Sequence, residues 1–248
     1  MNHQDYCDAL EGEIDRFAGA YEATSPDLPV LTCPGWSVYD VAEHLGTVHR
    51  WAERLVSLKS PTRIPSDEMD LDRGPVDAAW IRQGGEILLS TLRAGDPEAP
   101  MWAWGEDQHL RFWPRRQLHE TLIHRMDIEL ASGVAPHAGP SLAADCLDEF
   151  LVNLLPASRF SPLVRELKGH GEVLLIRAND IDAAWSMRLL EDGFEMSGGS
   201  GRSDAAMTGP VLELLLALYR RRPLASTGIV CQGSNELIEF WLGRTALD

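Results

Sequence analysis

The chain of 248 residues carries a formal net charge of −16, which argues against nucleic acid or an anionic membrane surface as a partner, since both need a basic footprint. Its 44% hydrophobic and 24% charged residues suit a globular protein long enough for one large domain or two modest ones. No apolar run reaches the ~18–20 residues of a membrane-spanning helix, and the acidic start MNHQDYCDALEGEIDRF lacks the basic segment and apolar core of a signal peptide; a cytoplasmic location is expected.

The cysteines Cys7, Cys33, Cys146 and Cys231 form no CxxC pair. That spacing suits reduced thiols and provides neither a zinc ribbon nor a disulfide framework. Cys7 and Cys146 fall in amphipathic patterns, as small core residues do.

In chain order, Asp5 to Ala23 reads as a helix, with Tyr6, Leu10, Ile14, Phe17 and Tyr21 at spacings of three and four. Pro26, Pro29 and Pro34-Gly35 stop it. Ser37 starts a second helix, and Asp40 three residues on completes a capping-box pattern. Its apolar stripe is Val38, Val41, Leu45, Val48, Ala52 and Leu55; His44 falls within the stripe and His49 outside it. A polar loop over 60–74 leads to a third helix from about Pro75 to Arg93, which Gly84-Gly85 weaken in the middle. The irregular stretch Asp96–Trp113 holds Trp102, Trp104, Phe112 and Trp113 around GEDQ, and reads as a short hairpin or a lid beside a pocket. Its tryptophans line a pocket mouth or belong to an aromatic core; both readings stand. Trp36 reads as a packing anchor at the entry of the second helix.

Arg115–Ala131 (RRQLHETLIHRMDIELA) is the fourth helix. Glu120 and His124 are four residues apart on it, about one turn at ~3.6 residues per turn, so they share a face. A carboxylate and an imidazole so placed can share a divalent metal with a third ligand from another element, for which His44 is the candidate. The bland alternatives are a solvated helix edge for the pair and a hydrogen-bonded core histidine for His44. Two nitrogens and one oxygen would make a catalytic type of site, which keeps a position for water or substrate. Asp127, near the same face, either orients a ligand from behind or pairs with an arginine.

The helices suggest a four-helix bundle, a fold that builds metal sites from facing helices. The boundary is expected at Gly133–Pro140, giving domains at 1–136 and 137–248. The second half holds a helix at Ser141–Leu155 and strands at Glu172–Ala178, Ala184–Leu190, Phe194–Ser197, about Asp204–Thr208 and about Gly228–Gln232. Helices at Val211–Arg220 and Ser234–Leu242 complete it. The fold class expected is therefore α+β: a helical bundle followed by a small, mostly antiparallel sheet covered by helices on one face.

Two blocks, CPGWSVYDVAEHLGTVHRW (Cys33–Trp51) and HETLIHRMDIELA (His119–Ala131), resemble those of the mycothiol-dependent maleylpyruvate isomerase family, whose N-terminal half is a DinB-like metal-binding bundle. The family's order is a Pro-Gly-Trp motif, a helix with one histidine, then Glu-x3-His followed by Asp. Pro34-Gly35-Trp36, His44, Glu120, His124 and Asp127 stand in that order here. GPVLELLLALYRRRPL (Gly209–Leu224) and IVCQGSNEL (Ile229–Leu237) resemble, more loosely, the family's C-terminal domain, which is related to the sterol-carrier-protein-2 fold. Arg220 stands where the family often has Gly, and Ser234 where it has an acidic residue.

The resemblance implies that His44, Glu120 and His124 bind one zinc or similar divalent ion, with mycothiol as thiol co-substrate. It implies an isomerase, in which the thiolate adds to the double bond of a small electrophilic acid, the adduct rotates and elimination returns the thiol, or else a thiol S-transferase. Arginines would hold carboxylates; among Arg220, Arg221 and Arg222, Arg221 is the candidate catalytic residue, against the plainer reading of a solvated helix end complementing the dipole. Two other readings remain open at this stage: a metal-dependent hydrolase or amidase that activates water at the same ligands, and a non-catalytic binding module that retains them. The partners expected are a small electrophile and a low-molecular-weight thiol, with the oligomeric state open.

Overall fold

The computed structural model describes residues 1–199 and 201–245. The chain divides into two compact units, Met1–Pro136 and His137–Asp248.

The first unit is built from α1 (His3–Glu22), α2 (Val38–Leu58), α3 (Ala78–Ala94) and α4 (Phe112–Ala131). Helix α1 packs on α3 and α4, and α2 packs on the same two, so the helices close a ring with α1 diagonal to α2. Helix α4 is buried on nearly every side, from Phe112 through Ile128. Its polar residues therefore point into protein and must find partners there. One such partner ties α4 to α1: Arg125 Nε donates to Glu13 Oε2 at 2.8 Å, both side chains being buried.

Helix α2 starts where expected. Ser37 accepts from the Asp40 amide, and the Asp40 carboxylate accepts from the Ser37 amide at 2.7 Å, closing a capping box. Helix α3 starts later than Pro75: Asp77 is its N-cap, accepting from Trp80 N at 2.7 Å, and Pro75 lies in the preceding loop. A carboxylate acceptor satisfies an orphan amide, which Pro75 cannot do.

Gly84-Gly85 also differ from expectation. A Cβ at Gly84 would meet the Arg50 guanidinium, and one at Gly85 would meet Ile14. They are the places where α2 and α1 approach α3 closely, and the helical propensity lost there is offset by packing. Opposite Gly84, Arg50 lies 3.9 Å above the Trp80 ring and donates to Trp80 O and Gly46 O. A Cβ at Gly46 would run into that same ring.

The second unit contains α5 (Pro140–Ala157), α6 (Val211–Leu218) and α7 (Asn235–Leu242). Its five described strands are β1 (Val173–Ala178), β2 (Ala184–Leu190), β3 (Gly193–Gly198), β4 (Ala205–Gly209) and β5 (Val230–Gly233). They form one mixed sheet in the order β3-β2-β1-β4-β5, with β1 and β4 parallel and the other pairings antiparallel. Leu174, Ile176, Trp185, Met187, Ala205 and Met207 share one face through that register and are buried; Arg177 and Arg188 alternate to the other and are exposed. Helix α6 packs against β1 and β4, α5 against β3, and α7 against β4. The architecture is thus α+β, four helices followed by a mixed sheet with helices.

Cys7 and Cys146 are buried, as expected. Among the described residues, no helix is long and apolar enough to cross a membrane.

Candidate metal centre

Helix α4 carries Arg116, Glu120 and His124 at successive intervals of four, one lane down its surface. Helix α2 brings His44 to the same lane from 76 residues upstream: His44 Nε2 lies 3.4 Å from Glu120 Oε1, and His124 Nε2 lies 3.4 Å from the same oxygen. The three donor atoms all fall within 4.8 Å of one another.

At 3.4 Å these contacts are long for N–H···O hydrogen bonds, which centre near ~2.9–3.0 Å. They match instead the spacing of ligands around a tetrahedral ion, about 3.3–3.6 Å for bonds of about 2.0–2.2 Å. Burial, the neighbouring His124 and the Arg116 cation push the His44 imidazole down to about 3, so it is neutral at pH 7 with a lone pair to offer. The donor set and its spacing fit a divalent cation.

Two of the three candidate ligands, Glu120 and His124, are held from behind. Arg116 Nη2 pairs with Glu120 Oε2, leaving Oε1 to face the two histidines, and the guanidinium lies over the Trp104 ring at 5.4 Å. His124 Nδ1 is 3.0 Å from Asp127 Oδ2, a normal hydrogen-bond length. Asp127 is fully buried, and it also accepts from Thr32 Oγ1 at 2.6 Å and Cys33 Sγ at 3.4 Å. Cys33, His124 and Asp127 are a second cluster within ligand distance. Its members are already joined by hydrogen bonds, so the first cluster is the better metal site.

Trp36 is more than an anchor for the helix entry. Its ring centroid is 5.0 Å from that of His44 and 6.4 Å from that of His124, near-parallel to the latter. Along α2, Asp40, Glu43, His44, Thr47, Val48 and Trp51 form one face, and with Gly35, Trp36 and the loop residues Arg63, Ser66 and Arg73 they line a cavity of about 690 Å³. The loop is pinned in place: Trp51 Nε1 donates to Ile64 O at 2.7 Å and Trp102 N to Ser60 O at 2.7 Å.

The order of burial on α2 is the reverse of the expected one. His44 is partly exposed at the cavity, whereas His49 is fully buried, its Nε2 2.9 Å from Thr121 Oγ1. The apolar stripe of α2 faces both α3 and α4, so it is wide enough to enclose His49, and Val48 falls on the cavity side.

Trp102, Trp104 and Trp113 do not line this cavity; Trp51, Trp102 and Trp113 pack together, with Trp113 fully buried. The stretch 96–113 turns back on itself through a bridge between Pro100 and His109. Arg221 belongs to the second unit, just past α6, where its Nη1 donates to Tyr219 O at 3.1 Å. Arg222 pairs with Glu213 at 2.6 Å, and Arg220 adopts a left-handed φ of 59° at the helix end.

Arg116, Thr32 and Cys33 are not legible as site residues in the sequence, where Trp36 reads only as a packing anchor. Arg116 had a local signal, since it precedes Glu120 by the interval that separates Glu120 from His124. Thr32 and Cys33 had none, because Asp127 lies some 95 residues away.

Residues 7–129, nearly all of the helical unit, match the family model described as the mycothiol maleylpyruvate isomerase N-terminal domain. Among solved structures, the crystal structure of the mycothiol-dependent maleylpyruvate isomerase is similar over 94% of this chain and 93% of that one, with a TM-score of 0.61 at 10% identity. A histidine-to-alanine mutant of the mycothiol-dependent maleylpyruvate isomerase aligns over 88% of both chains, with a TM-score of 0.57 at 10% identity. At that identity the likeness is one of fold. No curated protein matches the sequence.

Proposed function

We propose, for a chain that belongs through its N-terminal domain to the mycothiol maleylpyruvate isomerase family, that His44, Glu120 and His124 hold one divalent cation, with zinc the first choice. The cavity beside His44 then receives a low-molecular-weight thiol, mycothiol, and a small electrophile. The observation that carries this reading is the spacing of two imidazole nitrogens around one carboxylate oxygen, 3.4 Å each, at the edge of an open cavity.

A divalent ion at such a site lowers the pKa of a bound thiol or water and so supplies a nucleophile near neutral pH. The protein's residues do the rest. Arg116 and Asp127 fix the orientation of Glu120 and His124. Trp36 walls the site and limits water around the two imidazoles. Arg63 and Arg73 supply cations at the cavity wall for an anionic group. Arg221 is a separate proposal, as a carboxylate-binding cation of the second unit. The reaction class is reversible addition of a thiol to an activated double bond, giving a cis–trans isomerisation, or thiol transfer when the adduct is kept.

The test has two parts. Elemental analysis of the purified full chain should find about one divalent metal per chain, lost in His44→Ala and Glu120→Ala. Maleylpyruvate and a panel of small electrophiles should turn over only when mycothiol is added. Equal rates with and without thiol would remove the isomerase and transferase readings; hydrolysis without thiol would favour a metal-dependent hydrolase.

A further inference from the structure

The turn before α2 reaches across the bundle to the back of the metal centre. Thr32 Oγ1 donates to Asp127 Oδ1 at 2.6 Å and Cys33 Sγ donates to Asp127 Oδ2 at 3.4 Å. The same Oδ2 is 3.0 Å from His124 Nδ1. Asp127 is fully buried, so its carboxylate depends on protein donors in place of water.

This arrangement bears on the tautomer of His124. Both ring nitrogens face carboxylate oxygens, Nδ1 that of Asp127 at 3.0 Å and Nε2 that of Glu120 at 3.4 Å, and the shorter contact favours the ring proton on Nδ1, which leaves the Nε2 lone pair for a cation. The carboxylate must also hold its plane for that bond to form. With Thr32 on one oxygen and Cys33 on the other, its rotation about the Cβ–Cγ bond is restrained at both ends. Trp36 belongs to the same turn, where its amide donates to Cys33 O at 3.0 Å, so one segment both walls the histidines and locks the group behind one of them.

We propose that Thr32 and Cys33 are positioning residues which, through Asp127, set the tautomer of His124 and thereby the affinity of the site for a divalent cation. The affinity part rests on the metal-centre reading given above; the tautomer part does not. Loss of an outer partner of a ligating histidine typically weakens metal binding by about 10–100-fold. Asp127→Asn should fall in that range, Thr32→Val at about its lower end, and Cys33→Ala below it because S–H is a weak donor. Thr32→Ser restores the hydroxyl and should restore the affinity.

The experiment titrates chelator-stripped full-length protein with Zn²⁺ against a chromophoric chelator, for wild type and the four variants. Thermal unfolding of the metal-free proteins and long-range ¹H–¹⁵N spectra of their histidines accompany it. The expected result is weaker zinc binding in Thr32→Val, recovery in Thr32→Ser, and an Nδ1–H tautomer for His124 in the metal-free wild type that is lost in Thr32→Val and Asp127→Asn. Zinc affinities for Thr32→Val and Cys33→Ala equal to that of the wild type would overturn the proposal, as would a wild-type proton on Nε2. A Thr32→Val that fails to fold leaves Cys33→Ala and the wild-type tautomer to decide. Should the wild type take up no zinc, the metal-centre reading fails. The tautomer alone then judges the relay: Nδ1–H retained in both Thr32→Val and Cys33→Ala sinks it, and Nδ1–H lost in Thr32→Val and regained in Thr32→Ser upholds it.

Discussion

Arg116 grips one carboxylate oxygen of Glu120 from one turn back on α4, so that the other oxygen is presented to His44 and His124. Both side chains are largely buried, so neither charge has much water to fall back on. Removing the cation strands a carboxylate beside the neutral imidazole of His44. Arg116→Met should therefore destabilise the metal-free protein by about 1–3 kcal/mol, seen as a lower urea midpoint at unchanged m-value. Arg116→Lys should recover only part of this, since an ammonium is a point charge without the planar fork that holds Glu120 in one orientation.

Zinc should raise thermal stability through the same residues. A ligand that binds only the folded state at about 100 times its Kd adds about 2.7 kcal/mol, which for a chain of this size is roughly 5–10 °C in Tm. Calorimetry with zinc and with chelator measures the increment. His44→Ala should lose the increment while keeping a chelated Tm close to that of wild type, because its side chain is partly exposed at the cavity. An undiminished zinc shift in that variant would contradict the ligand assignment.

Acid should weaken the bundle through His49. Burial, first, and then the Arg50 cation push this imidazole down to about 3, well below its ordinary value. Between about pH 6.5 and 3 the unfolded chain binds a proton there and the folded chain does not. The stability His49 contributes is therefore present above pH 6.5 and lost as the pH falls, by up to about 1.4 kcal/mol per pH unit. Urea unfolding of the chelated protein from pH 7 to 5 should show this slope added to that of His44, whose imidazole is pushed equally low, and His49→Gln should remove about half of the total whatever its effect at pH 7.

Gly46→Ala should be among the more costly single-methyl additions in the chain. The added Cβ would overlap the ring of Trp80, which is buried and held under Arg50. Overpacking of this kind costs about 1–3 kcal/mol even though alanine is the better helix former. A Gly46→Ala variant as stable as wild type in urea would show that α2 and α3 can move apart without loss.

Much of the architecture is local and so could be read along the chain. The capping box of Ser37 and Asp40, the i, i+4 relation of Glu120 and His124, and the limits of β2 each depend on neighbours within about one turn or one strand pair. The sequence by itself determined that a carboxylate and an imidazole share a face of α4, that a bundle precedes a sheet, and which residues are candidates to hold a metal. Only the tertiary structure decided what stands behind those residues. Which side of α2 is buried depends on how α3 and α4 pack against it, and that packing enclosed His49 and left His44 at the cavity. Gly46 and Gly84 are explained by Arg50 and Trp80, and Asp127 by Thr32 and Cys33, partners that helical periodicity cannot point to because they arrive from other elements. A buried polar group takes whichever donor the packing brings within about 3 Å. That distance is a property of the folded bundle, and no spacing in the chain encodes it.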